Sequence, residues 1–257
     1  MNILIISLSK ISKAFLKNLP KNFEGTIDVF SPNSTIEGFR CFNYYKNLSK
    51  EYDYVFLGCK PQHIQDVAEN LPKTCYNKGT IFISVLAGIT IGKITKLFGV
   101  EKIIRVMPSL AFEFGDSYLG MFAKNCTNEE VQFVCEMFKP NTVIQCKNEQ
   151  EIDEFTALYG SGIGFIFEVM NAFFESSKTF LEENSKREII VNLLQNAALY
   201  MKENKDISFM EAVNNVASKG GTTEAGLNEF KKNNQLKEII NNAMQAALKR
   251  AREIAKS

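Results

Sequence analysis

The chain has no tryptophan and a single histidine, His63, among its 257 residues. Six cysteines, at positions 41, 59, 75, 126, 135 and 146, form no C-x-x-C pair, so no metal site is expected. Nothing pairs His63 with a nucleophile and an acid, and a Ser-His-Asp hydrolase therefore has no motif to stand on. An excess of one charge is missing as well. The formal net charge is +1 and there is no basic tract, which argues against a nucleic-acid partner, because phosphate binding draws on clustered Lys and Arg. The cations near the end (Lys249, Arg250, Arg252, Lys256) read as a solvated helix terminus, where they suit the helix dipole. The longest apolar stretch is read as Ile81 to Ile91, which contains Ser84 and Thr90 and falls well short of the roughly 20 residues of a membrane span. The start, Met1 to Ser7, lacks the charged head and long apolar core of a signal peptide. These absences lead to the expectation of a soluble, cytoplasmic protein with reduced thiols and no membrane partner.

What is present is an ordinary globular composition, 45% hydrophobic and 23% charged, long enough to bury a sizeable core. The first part alternates strand and helix. Ile3-Leu4-Ile5-Ile6 is a short apolar run of the kind a buried parallel strand requires. Helical spacing follows at Ile11, Phe15 and Leu19, ending before Pro20. Further strands are expected at Thr26 to Phe30, Tyr54 to Leu57 (the third), Thr80 to Val85, Lys102 to Val106, Tyr118 to Ala123 and Thr142 to Gln145. Pro61 stands where a helix would begin, and Thr127-Asn128-Glu129-Glu130 has the form of a capping box before a helix at 128–138. This alternation predicts an α/β fold with a doubly wound, mostly parallel Rossmann-type sheet. Beyond residue 148 the strand signal disappears. Gly164 to Leu181 is apolar almost all round and reads as a buried helix. Residues 187–203 are amphipathic, Ser208 to Glu211 form a second capping box, and Leu236, Ile239, Ile240, Ala243, Met244, Ala247, Leu248, Ala251 and Ile254 share one helical face. The expected division is a dinucleotide-binding domain over residues 1–148 and an all-helical domain over residues 149–257.

A nucleotide-binding first turn normally reads G-x-G-x-x-G, for tight turning, close approach to pyrophosphate and helix packing. Here the stretch is Ser7-Leu8-Ser9-Lys10-Ile11-Ser12, with serine at every glycine position. The helix N-terminus still offers amides to an anion, and the hydroxyls and Lys10 add donors; the competing reading is a sheet edge that has lost its ligand. After the second strand, Ser31-Pro32-Asn33-Ser34 supplies no carboxylate for a ribose 2′-hydroxyl, which favours a 2′-phosphorylated dinucleotide if one binds. Cys59-Lys60-Pro61-Gln62 lies at the end of another strand, the edge where ligands bind in open α/β sheets. It reads either as a cofactor contact or as a surface lysine before a proline-started helix. Gly160-Ser161-Gly162 reads equally as a close helix contact. In Gly220-Gly221-Thr222-Thr223, two glycines and two threonines before a helix suggest an anion cradle; a capped turn accounts for the threonines but leaves both glycines unexplained.

Taken in order, these segments resemble pyrroline-5-carboxylate reductases over nearly the whole chain. Val55 to Gln62 is similar to the family's V-x-L-A-V-K-P-Q, Ser84 to Ile89 to S-x-x-A-G-I, and Arg105 to Pro108 to R-x-M-P. Thr156 to Gly162 resembles T-A-L-S-G-S-G, and Ser218 to Leu227 resembles the signature S-P-G-G-T-T-x-A-G-L. The resemblance implies reduction of the C=N bond of 1-pyrroline-5-carboxylate to L-proline by NADPH (or NADH), the last step of proline biosynthesis. It also implies a homodimer built on the helical domain, often assembled further. Carried onto this sequence, Ser7, Leu8, Ser9, Lys10, Ile11 and Ser12 would hold the pyrophosphate and Ser31 the adenosine ribose. Cys59, Lys60 and Ala87 would flank the nicotinamide end, and Asn215 would reach the cofactor from the helical domain. Glu149, Gly221, Thr222 and Thr223 would meet the substrate, the Gly221–Thr223 amides taking its carboxylate. Thr223, as hydrogen-bond partner or proton relay to the imine nitrogen, and Lys60 are the expected catalytic residues.

The sequence departs from the family in places. The first-turn glycines are absent, N-T-P-A after Met-Pro is Ser109-Leu110-Ala111-Phe112, and S-P-G-G is Ser218-Lys219-Gly220-Gly221. Tyr45 stands where the family often has a cofactor-contacting Asn, with Asn43 and Asn47 as candidate substitutes. The alternatives to a working reductase are a non-catalytic binding or regulatory relative on the same scaffold and a reductase of another cyclic imine.

Overall fold

The protein is described by a computed structural model covering residues 1–19, 23–177 and 182–256. Pro20 and the end of the expected Gly164–Leu181 helix lie outside the described residues.

Eight strands form one sheet: β1 (Asn2–Ile6), β2 (Thr26–Phe30), β3 (Arg40–Phe42), β4 (Tyr54–Leu57), β5 (Ile81–Ser84), β6 (Ile103–Pro108), β7 (Tyr118–Lys124) and β8 (Thr142–Gln145). Their order is β3-β2-β1-β4-β5-β6-β7-β8. All neighbours are parallel except β6 and β7. The order reverses at β1, and the carboxyl edge beside that strand is where open α/β sheets place ligands. The expected doubly wound α/β class is the one found.

The apolar runs explain why both faces are covered. Ile3 and Ile5 enter one core with Ala14, Phe15 and Leu16 of helix α1 (Lys10–Asn18) and Val134 and Met137 of α4 (Asn128–Met137). Leu4 and Ile6 enter the opposite core with Val67 of α2 (Ile64–Asn70) and Ile94 and Phe98 of α3 (Ile91–Phe98). Helix starts follow local chemistry. Ser9 caps α1, Thr90 caps α3, and Thr127 with Glu130 makes the expected capping box of α4.

The sequence reading missed β3, which makes Tyr54–Leu57 the fourth strand rather than the third. No apolar pattern announces its three residues, because a charge pair fastens it. Asp28, buried on β2, stands opposite Arg40 of β3. Its carboxylate accepts from Arg40 Nε and Nη2 at 2.8 and 2.6 Å and from the Tyr52 hydroxyl at 2.7 Å. Lys50 Nζ lies 3.1 Å away.

Helix α5 (Glu149–Phe155) runs through a π turn at Thr156–Gly160 into α6 (Gly162–Ser176). Then come α7 (Glu183–Glu203), α8 (Phe209–Val216), α9 (Thr222–Lys231) and α10 (Gln235–Lys256). Two compact units result: Met1–Ser161 with Ala246–Ser257, and Gly162–Gln245. The expected division after residue 148 falls where the sheet ends, while α5 and the π turn pack with the sheet.

Within Gly162–Gln245, Ile190 is the one buried apolar residue among those described. Helix α6, expected to be buried, has no buried residue, and Ile166 and Phe167 are 48% and 54% exposed. Its apolar circumference is real, but the described residues leave none of it buried. The continuous helix Glu149–Ser176 is also long and apolar enough to cross a membrane by length and composition, with a mean hydropathy of 1.3. This corrects the reading that rested on Ile81 to Ile91. A helix apolar all round belongs in a protein interior or a bilayer, and the same criterion is met by the core helix of a soluble assembly.

The Asp28 cluster carries a pH prediction. Burial pushes this carboxyl up, but the hydrogen bonds from Arg40, Tyr52 and Lys50 together outweigh it and hold the group below its ordinary value of 3.8. A depressed carboxylate stabilises the fold fully above its unfolded pKa and loses that contribution as the pH falls through the folded value. Asp28→Asn is expected to cost roughly 2 kcal/mol at pH 7, read by urea unfolding, and to flatten the loss of stability below about pH 4. An unchanged acid limb would remove Asp28 as its source.

Candidate functional site

The carboxyl edge of β1, β2, β4 and β5 brings together Ser7 to Ser12, Ser31, Cys59, Lys60 and Ala87, each in the first residues after its strand or in the turn that follows. Two backbone bonds stitch this edge: Ser7 N–H donates to the Phe30 carbonyl at 2.8 Å, and Gly58 N–H to the Ile6 carbonyl at 3.0 Å.

The serines have not straightened the first turn. Ser7 sits at φ +76°, a left-handed conformation that glycine adopts freely and a side chain resists. Ser9, in the second glycine position, is the N-cap of α1, and its Oγ accepts from Ser12 N–H at 3.2 Å. Ser12, in the third, is fully buried, its Oγ 3.0 Å from Ser9 Oγ. Lys10 is exposed in the first turn of the helix. The turn therefore keeps the backbone course of a glycine loop, and its residues fit a dinucleotide's pyrophosphate at the N-terminus of α1.

Ser31 is buried, its N–H donating to the Phe42 carbonyl at 2.9 Å and its hydroxyl 2.7 Å from that of Ser34. Asn43 spends its side-chain amide on this loop, donating to the carbonyls of Ser31 and Pro32 at 3.0 and 3.2 Å. Tyr45 stacks on Phe30 with ring centroids 3.8 Å apart, which makes it a packing residue. Burial pushes the Cys59 thiol up to about 11, so it stays protonated at neutral pH and forms a small apolar wall rather than a nucleophile. Lys60 is exposed before the helical turn that Pro61 opens.

Glu149 is committed to structure through one oxygen. Its Oε1 accepts from Arg105 Nη1 at 2.7 Å and from the Ile91 amide, at the start of α3, at 2.9 Å. Arg105 is 2% exposed, and its Nη2 lies 3.5 Å from Asp153 Oδ1. Burial raises the Asp153 carboxyl despite the pull of Arg105. The R-x-M-P segment identified Arg105, but nothing in the sequence showed that its partners are two carboxylates of α5.

The helical unit holds Asn215 and Gly221 to Thr223. Asn215 Nδ2 donates to the Tyr200 hydroxyl at 3.3 Å. Gly221 is the N-cap of α9 with no side-chain cap, and Thr222 and Thr223 are exposed in its first turn. The glycines answer to the backbone first. Gly220 has φ +72°, and a Cβ on Gly221 would lie 2.9 Å from the Ser218 carbonyl oxygen. This corrects the inference that a capped turn leaves both glycines unexplained: the turn needs them with or without an anion. Glu224 adds a feature the sequence did not announce, its Oε2 accepting from Gly220 N–H at 2.7 Å.

A doubly wound sheet of this strand order, with a glycine-like first turn at its switch point, defines a dinucleotide-binding-type α/β protein. The chain belongs to the pyrroline-5-carboxylate reductase family. It is 33% identical to the pyrroline-5-carboxylate reductase of Staphylococcus haemolyticus over 218 residues, covering 82% of this chain and 78% of that protein. It is 31% identical to that of Staphylococcus aureus, covering 81% and 77%. The family model for pyrroline-5-carboxylate reductase dimerisation matches residues 149–254. The fold is similar to the crystal structure of the Plasmodium falciparum pyrroline carboxylate reductase with NADP bound, with a TM-score of 0.87 at 19% identity and coverage of 99% and 98% of the two chains.

The φ of Ser7 yields a direct test. Relieving a left-handed serine is worth about 1 kcal/mol, so Ser7→Gly is expected to raise stability by that amount in chemical denaturation. A loss instead would mean that the serine side chain contributes more to the turn than its strain costs.

Proposed function

We propose that this protein reduces the C=N bond of 1-pyrroline-5-carboxylate to L-proline with NADPH or NADH. The observation that carries the reading is 33% identity to a curated pyrroline-5-carboxylate reductase over most of both chains. The retained left-handed turn at Ser7 supports a cofactor at that edge despite the missing glycines.

In this reading residues 1–148 hold the cofactor and residues 149–257 serve dimerisation and substrate. Ser7, Leu8, Ser9, Lys10, Ile11 and Ser12 cradle the pyrophosphate with amides, hydroxyls and one cation. Ser31 meets the adenosine ribose. Cys59, Lys60 and Ala87 bound the nicotinamide end, and Asn215 contributes from the helical half. When bound, a reduced nicotinamide would supply the hydride that the C=N carbon needs. The amides of Gly221, Thr222 and Thr223 take the substrate carboxylate at the uncapped start of α9. The Thr223 hydroxyl bonds the imine nitrogen or relays a proton to it, taking one from water as it gives its own, since Thr223 is exposed to solvent, and Lys60 offsets negative charge nearby. Glu149 stands on the substrate side, with Oε1 tied to Arg105 and Ile91. Positioning contributes most of the acceleration.

The protein acts as a cytoplasmic homodimer. Six free cysteines fit a reducing compartment. The exposed apolar faces of α6 to α10, including Ile239 at 63% exposure, need a partner of their own kind.

Mixing the purified protein with 1-pyrroline-5-carboxylate and NADPH, then NADH, is expected to give substrate-dependent loss of reduced-nicotinamide absorbance. Thr223→Ala should lower turnover roughly 100-fold. A folded protein that oxidises neither cofactor would overturn the reading in favour of a non-catalytic binding relative. Separately, Phe167→Glu is expected to halve the mass seen by light scattering. A wild type that is already monomeric at micromolar concentration would remove the dimer.

A further inference from the structure

Gly58 is not among the residues assigned above, and no turn requires its glycine character, since its φ is not in the left-handed region. The reason for glycine there lies across the sheet edge. A Cβ built on Gly58 would lie 2.0 Å from Ser12 Oγ, and also 3.2 Å from the Ile6 carbonyl oxygen and from Phe56 Cε1. The first of these is impossible for real atoms. Ser12 Oγ occupies the space a side chain at 58 would take, so Ser12 in its present position and a Cβ at 58 cannot coexist without one of them moving.

The buried hydroxyl of Ser12 also has to be satisfied. A hydroxyl with no exposure needs an acceptor for its proton, and the contact recorded for Ser12 Oγ is Ser9 Oγ at 3.0 Å. With Ser12 donating, Ser9 Oγ accepts twice, from the Ser12 hydroxyl and from Ser12 N–H at 3.2 Å. Both lone pairs of Ser9 are then used, and its own proton is left to donate away from the helix. Ser9 is only partly buried, at the N-terminus of α1.

We infer that Ser12 and Gly58 form a complementary pair that positions the Ser9 hydroxyl as a hydrogen-bond donor to the cofactor's pyrophosphate, in place of the open approach that a second glycine would give. Within the cradle proposed above, the fully buried Ser12 hydroxyl acts through Ser9 and Gly58 acts through Ser12, so both are positioning residues and the Ser9 hydroxyl is the contact. The inference rests on the proposed cofactor reading.

The test is a cycle of Gly58→Ala, Ser12→Gly and the double variant, with Ser12→Ala alongside. Thermal stability and the Kd for NADPH, from the cofactor's own fluorescence, are measured for each. Gly58→Ala is expected to lower both stability and affinity, and Ser12→Gly in that background to restore most of the stability. Ser12→Ala keeps the Cβ and loses only the hydroxyl. It should raise the KM for NADPH roughly three- to tenfold with kcat held, a split that a packing defect would not produce. Wild-type protein that does not bind NADPH would sink the cofactor reading and this inference with it. Wild type that binds, with Gly58→Ala and the double variant equally destabilised, would overturn the pair alone, and a Ser12→Ala protein with unchanged KM would overturn the role given to Ser9.

Discussion

The carboxyl edge of the sheet depends on one reversal, the passage from β1 into α1. The Phe30 carbonyl on one neighbouring strand holds the Ser7 amide, and the Ile6 carbonyl receives the Gly58 amide from the other. Between these two bonds the chain turns through a left-handed residue, and Ser7 takes that conformation at a cost glycine would avoid. This is the condition for everything nearby. It sets where Ser9 caps the helix, where Ser12 enters the core, and which position on β4's continuation has to be glycine. Losing the glycines from the sequence did not lose the turn, because the hydrogen bonds that impose the turn belong to the sheet.

Charge fastens what apolar packing leaves loose. At one edge of the sheet, Asp28 binds Arg40 and secures a three-residue strand. Beyond β5, buried Arg105 binds Glu149 and approaches Asp153, so that the first helix after the sheet is held against β6. The bond from Arg105 Nη1 to Glu149 offsets part of the cost of burying the guanidinium, whose Nη2 finds no hydrogen-bond partner among the described residues, and the Ile91 amide, donating to the same Glu149 oxygen, fixes the start of α3. This is why α5 packs with the sheet although its sequence reads as the beginning of the helical half.

Strands with continuous apolar runs were legible within a residue or so, since a parallel strand buried on both faces has nowhere to put a polar side chain. Both capping boxes were legible, because their chemistry is local. What escaped reading depended on contacts distant in sequence. Strand β3 is defined by Asp28, twelve residues earlier, and not by its own composition. Residue 7 looked disqualified on type alone, while its conformation is set by Phe30. The relation of Ser12 to Gly58 is visible only when both are placed on the same edge. At Gly220 and Gly221 the glycine character follows from the turn itself, whether or not an anion binds there, and that geometry was not visible in the sequence. The candidate site was thus legible as a set of segments, and the resemblance supplied the roles that the residues alone did not.

The helical half shows the opposite failure, a correct pattern with an unexpected surface. Helix α6 is as apolar as a buried helix should be, yet among the described residues none of it is buried. Periodicity reports that a face must leave water; it does not say which molecule covers it. Gly162–Gln245 has almost no interior of its own among the described residues, so hydrophobic burial within it cannot offset the entropy of ordering its helices. The match of residues 149–254 to the family's dimerisation model agrees with a surface of this kind, because a self-complementary patch closes on itself at no cost in new sequence. On this argument the two halves are constrained differently. The sheet half buries its apolar runs within one chain and tolerates serine where glycine is usual, whereas the helical half keeps a glycine-dependent turn at Gly220 and Gly221 with little apolar burial of its own among the described residues.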